Sequence, residues 1–124
     1  MDRILVVDDE PDLVATYERL LQRKGYRVVS AGSCRDGLVV VEREPLALVL
    51  TVMRLPDGDG LDIVRAARRT TPRPTPTLVV TGFASEAGRS AALAAGASGY
   101  LAKPFGAAAL VSLVETTLAG RSPL

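Results

Sequence analysis

The residues able to do chemistry in this chain stand at the ends of short apolar runs. Ile4 to Val7 leads into Asp8, Asp9 and Glu10, Leu78 to Val80 into Thr81 and Gly82, and Gly99 to Leu101 into Lys103, Pro104 and Phe105. Adjacent carboxylates at the mouth of a buried strand repel one another and lose hydration, so something must compensate. A hard metal such as Mg²⁺, held through oxygen, is one candidate; an aspartate simply capping the helix that starts near Glu10 and Pro11 is the plainer role. The Thr81 hydroxyl beside a glycine turn can hold a phosphoryl oxygen at a helix start, or it can bond its own turn backbone. A lysine buried at a strand end needs a negative partner, and Asp8 or Asp9 would serve Lys103; an ordinary strand-end lysine instead snorkels to solvent. Lys103 is one of two lysines in a chain with thirteen arginines, which makes its place before Pro104 more suggestive.

What is missing narrows the chemistry further. The 124 residues include no histidine, which removes the commonest acid–base catalyst and transition-metal ligand and any phosphohistidine of the chain's own. Cys34 is the only cysteine, so neither a disulfide framework nor a thiolate metal cluster is available, and a reducing cytoplasm is the expected compartment. Fifteen basic against fourteen acidic residues leave a net charge of +1, which gives no electrostatic reason to bind nucleic acid or anionic lipid. With 48% hydrophobic and 23% charged residues the chain reads as one soluble globular domain. No apolar run is long enough for a signal-peptide core or a bilayer span.

The elements that must position these residues alternate along the chain. Ile4–Val7, Arg27–Ser30, Leu46–Leu50, Leu78–Val80 and Gly99–Leu101 read as strands buried on both faces, as in a parallel sheet. Leu13, Tyr17, Leu20 and Leu21 mark a first helix stopped at Gly25, and a second runs from about Arg35 to Arg43 before Pro45. A third follows Asp59 and Gly60, with Leu61, Ile63, Val64 and Ala67 on one face, and ends in the proline-rich stretch 70–77. An alanine-rich helix from Ser85 to Ala95, ended by Gly96, has little apolar surface and should be the loosest. The fifth spans about Gly106 to Leu118. Right-handed crossovers then give an α/β doubly wound sheet with helices on both faces and its site at the carboxyl ends of the strands. Residues 1–119 form the domain on this reading, and 120–124 a tail or the start of a linker.

With these residues in place, the chain resembles a response-regulator receiver domain of bacterial two-component signalling, CheY-like, from Ile4 to about Leu118. The resemblance rests on Leu5-Val-Val-Asp-Asp-Glu-Pro11, Arg54-Leu-Pro-Asp-Gly-Asp-Gly60, Val79-Val-Thr-Gly82 and Gly96-Ala-Ser-Gly-Tyr-Leu-Ala-Lys-Pro-Phe105. It implies a flavodoxin-like five-stranded parallel sheet in the order 2-1-3-4-5. It also implies Mg²⁺ at Asp8, Asp9 and the Arg54 backbone carbonyl, phosphoryl contacts at Thr81 and Lys103, and a switch aromatic at Tyr100. Output would pass through the face of helix four, strand five and helix five, toward a sensor histidine kinase or an output domain.

One carrier of the family chemistry departs from the pattern. The resemblance places the phosphoacceptor aspartate four residues before Pro56, where this chain has Val52. Valine has no oxygen with which to attack phosphorus or ligate a metal. Thr51 should point to the opposite face, Asp57 lies in the loop, and Asp59 before Gly60 reads as a helix cap. An aspartate at 52 would bring the charges to fifteen of each sign. The expectation is a pseudo-receiver: no enzyme, weak or absent Mg²⁺, action by protein–protein contact, and no direct nucleic-acid or membrane binding. Two alternatives stand beside it. One is a phosphorylatable regulator seen as an inactivated variant; the other is a small α/β phosphohydrolase with Asp8 as nucleophile, against which stands the lack of a Gly-rich phosphate loop after strand one.

Overall fold

The structure, a computed structural model, describes residues 2–120. The elements follow in the order β1 (Arg3–Val7), α1 (Pro11–Arg23), β2 (Arg27–Ala31), α2 (Cys34–Arg43), β3 (Leu48–Val52), β4 (Arg54–Leu55) and β5 (Gly58–Asp59). After them come α3 (Gly60–Arg68), β6 (Thr77–Thr81), α4 (Glu86–Ala95), β7 (Gly99–Ala102) and α5 (Ala107–Gly120). Five strands pair in parallel in the order β2-β1-β3-β6-β7. This is the doubly wound α/β arrangement expected, with the first strand between the second and third. The numbering differs because β4 and β5 form an antiparallel ribbon of two residues each, Arg54 opposite Asp59 and Leu55 opposite Gly58. Two residues are too few to show a period-two pattern.

Strand alternation divides the core. Leu5, Val7 and Val49 join Val41 of α2 and Ile63 and Ala67 of α3 on one face. Ile4, Val6, Leu48 and Leu50 meet Tyr17 and Leu21 of α1 and Leu110 and Val114 of α5 on the other. The third strand sits two residues later than its apolar run suggests, because Thr51 is fully buried within the sheet and pairs with Val79. Caps close the helices where local chemistry supplies them. Ser33 accepts a hydrogen bond from the Asp36 amide at the start of α2, and Asp59 accepts from Leu61 N at the start of α3. Gly96, at φ 112°, closes α4 in the left-handed region that favours glycine. α4 buries only Ala92 and Ala95. α5 includes Gly120, the first residue of the expected tail; residues 121–124 lie outside those described.

Candidate functional site

All five parallel strands end at one edge of the sheet, and that edge gathers the residues singled out above. Asp8 follows β1 and is 2% exposed; its backbone amide donates to Ala31 O, and its Oδ1 accepts from Glu10 N at 2.9 Å. Its other oxygen is enclosed with no hydrogen-bond partner among the described residues. Lys103 Nζ lies 3.6 Å from that Oδ2 and 3.9 Å from Glu10 Oε1. Lys103 thus takes Asp8 as its partner as expected, but Glu10 rather than Asp9 is the second acid. Asp9 is exposed. Burial pushes the Asp8 carboxyl above its ordinary value, against the opposing pull of the Glu10 amide and the Lys103 ammonium. No aspartate caps α1. Glu10 is the N-cap residue without a side-chain cap bond, and Pro11, which has no amide hydrogen to satisfy, opens the helix.

Thr81 ends β6 at 8% exposure, and its Oγ1 accepts from Phe83 N at 3.1 Å. The hydroxyl therefore serves its own turn; α4 starts only after Ser85. Backbone bonds hold this edge together: Lys103 N donates to Thr81 O at 2.8 Å, and Met53 N to Val80 O at 3.2 Å. Val52 is 7% exposed and belongs to the apolar cluster that includes Val7, Cys34, Leu55 and Ile63. Thr51 Oγ1 donates to Val52 O and is fully buried, so it offers no hydroxyl to the edge. Arg54 is exposed within β4. Tyr100 lies in β7 beside the start of α4, where its hydroxyl accepts from Ser85 N at 3.4 Å.

Two features here escape sequence reading. The Asp57 carboxylate reaches across to α2, with Oδ1 accepting from Cys34 N at 2.7 Å and Oδ2 from Arg35 N at 3.0 Å. It thereby satisfies free amides of a helix start 23 residues earlier in the chain, a contact no local pattern announces. Tyr17, expected only as part of an apolar stripe, stacks on Phe105 with ring centroids 6.0 Å apart. Its buried hydroxyl has no hydrogen-bond partner among the described residues, and burial, then Asp8 and Glu10, raise its pKa.

The Asp57 contact yields a pH prediction. The two amide bonds hold this carboxyl below its ordinary value of 3.8. A depressed carboxyl contributes stability that is present above the unfolded value and lost as pH falls through the folded one. Asp57→Ala should therefore melt below the wild-type chain at neutral pH. The gap should close as pH falls from about 3.8 downward. Paired thermal melts across that range check it; a gap unchanged by pH would show that the charge of Asp57 is not what matters. Asp8 acts in the opposite sense: its raised pKa favours the folded state at low pH, and that contribution fades as pH rises through the folded value.

The donor set has one carboxylate fewer than the set expected for Mg²⁺, since Val52 stands at the acceptor position. The ion prefers nearly ideal octahedral oxygen coordination, usually from carboxylates and waters. Only Asp8 and Asp9 supply carboxylates of the expected set, Val52 presents methyl groups, and the Lys103 ammonium already lies against Asp8 Oδ2. No group of three or more His, Cys, Asp or Glu side chains among the described residues is placed to hold a metal.

A doubly wound parallel sheet carrying an acid, a hydroxyl and a lysine at the carboxyl ends of its first, fourth and fifth sheet strands defines a CheY-like signalling module. The chain belongs to the response regulator receiver domain family, which matches residues 4–115. It is 40% identical over 121 residues to the response regulator protein PilR of Pseudomonas aeruginosa, covering 98% of this chain and 27% of that protein. It is 34% identical to the transcriptional regulatory protein CpxR of Escherichia coli, covering 95% of this chain and 50% of CpxR. The chain thus spans between about a quarter and a half of these relatives. Among solved structures, a CheY-like receiver domain protein from Methanospirillum hungatei superposes with a TM-score of 0.91 at 31% identity, covering 97% of this chain and 95% of that one. The receiver domain of a sensor histidine kinase from Pseudomonas aeruginosa, solved with magnesium coordinated in its active-site cleft, gives 0.85 at 31% identity, covering 95% and 98%.

Proposed function

We propose that this receiver domain is a pseudo-receiver: it takes no phosphoryl group and signals through protein contacts alone. The observation that carries the reading is Val52 at the end of β3, which offers only methyl groups where the acceptor carboxylate is expected and packs into an apolar cluster. The resemblance implies a lysine that contacts the phosphoryl group carried by the acceptor. Here the ammonium instead neutralises the buried acid, and neither Thr51, Asp57 nor Asp59 stands in for the acceptor. Thr51 is turned to backbone, Asp57 to α2 and Asp59 to α3.

Its partners on this reading are a sensor histidine kinase or an output domain, met through the face of α4, β7 and α5. Phe83, 86% exposed, and Leu93, 47% exposed, supply apolar contact near or on that face. The chain would act in the cytoplasm, without catalysis and without binding nucleic acid itself; no helix among the described residues is long and apolar enough to cross a membrane. An amide NMR titration tests the reading. Millimolar Mg²⁺ should give no saturable shift at Asp8, Asp9 or Arg54, and acetyl phosphate should add no second set of signals. Saturable binding followed by a new set of peaks around Thr81 and Lys103 would overturn it.

A further inference from the structure

Gly88 is the third residue of α4, in a helix that glycine disfavours relative to alanine. Its surroundings explain its presence. A Cβ at this position would stand 2.8 Å from the Tyr100 hydroxyl, 3.6 Å from Tyr100 Cζ and 3.1 Å from Ser85 Oγ. In a capping box, the N-cap serine accepts from the amide of the third helical residue, whose glutamate side chain reaches back to the N-cap amide. Half of that arrangement is built from α4 itself: Ser85 Oγ accepts from Gly88 N at 2.9 Å. The other half comes from β7, because Tyr100 Oη accepts from Ser85 N at 3.4 Å and fills the space a side chain at 88 would take.

We infer that Tyr100 is a capping residue of α4, seated in a notch that Gly88 leaves open, so that this aromatic and the first turn of α4 move as one unit. α4 depends on the seat because it buries little else, only Ala92 and Ala95. Thr81 takes no part: its hydroxyl is bonded to Phe83 N. The aromatic is therefore held by the helix rather than by the strand-end hydroxyl. The seat stands on this geometry alone, while its meaning as a switch that works without phosphorylation rests on the pseudo-receiver reading.

Amide hydrogen exchange and ¹⁹F NMR of the fluorotyrosine-labelled chain test the seat. Tyr100→Phe should speed exchange at Ser85 and the first turn of α4 about fivefold, the loss expected of one cap bond. Adding Gly88→Glu to that variant should restore the protection, since the helix then carries its own capping partner. In the chain with Tyr100 intact, Gly88→Ala should move the Tyr100 ¹⁹F signal and leave those of Tyr17 and Tyr26 in place. Gly82→Ala, where an added Cβ meets nothing within 4 Å, should move none of them. Unchanged Ser85 exchange in Tyr100→Phe, or an unmoved Tyr100 signal in Gly88→Ala, would overturn the inference. Adding acetyl phosphate and Mg²⁺ to the labelled wild-type chain separates the two ideas: a Tyr100 signal that responds there counts against the pseudo-receiver reading and leaves the seat standing.

Discussion

Val52→Asp should convert the chain from one that acetyl phosphate leaves untouched into one that gains a single phosphoryl group in the presence of Mg²⁺. The new carboxylate would attack phosphorus, forming one P–O bond as the bond to acetate breaks and acetate leaves. The rest of the edge is in place for this: Asp8 and Lys103 lie together, and Thr81 ends the strand whose Val80 is registered with Val52. The substitution carries a cost. Position 52 is 7% exposed and belongs to an apolar cluster, so an ionised group there should lower stability by about 1–3 kcal/mol without metal. Mg²⁺ should return part of it, because an ion that binds only the folded variant stabilises by mass action. Denaturant melts with and without Mg²⁺ measure the cost, and intact mass measures the gain. No adduct in the variant would mean that the surroundings of position 52 have diverged along with the residue.

Gly60→Ala should be among the most damaging small substitutions in the described chain. An added Cβ would overlap the backbone oxygen of Val52 outright, and it would stand 3.0 Å from Val52 C and 3.2 Å from Met53 Cα. These are main-chain atoms at the end of β3, which cannot turn aside as a side chain can. Gly60 N also donates to Met53 O at 2.7 Å, closing the loop that holds the β4–β5 ribbon. Relieving the overlap must break that bond or shift β3, so a loss of about 3 kcal/mol or more is expected. Gly32→Ala makes the control, since its Cβ would meet nothing within 4 Å. A Gly60→Ala variant as stable as Gly32→Ala in urea would show that the loop yields where the geometry says it is fixed.

Much of the sheet was legible because burial on both faces leaves uninterrupted apolar runs, as at Ile4–Val7 and Leu78–Val80. β3 lies two residues beyond the apolar run Leu46–Leu50 because Thr51, fully buried in the sheet, looks like an interruption when read linearly. Caps formed within a few residues could be foreseen, as with Asp59 and Gly96. Those made across the fold could not: Asp57 on α2 and Tyr100 on α4 are contacts between elements distant in sequence. At the site, an ionic partner for Lys103 followed from the cost of burying an ammonium. That Glu10 rather than Asp9 completes it depends on how the chain turns after β1, with Oδ1 of Asp8 holding the Glu10 amide.

The central claim is that the wild-type chain has no acceptor, and intact-mass spectrometry tests it most directly. After incubation with acetyl phosphate and Mg²⁺, alongside Val52→Asp under the same conditions, the wild-type chain should keep its unmodified mass while the variant gains one phosphoryl group. A stable phosphoryl adduct on the wild-type chain would contradict the account, and mapping its position would identify the acceptor.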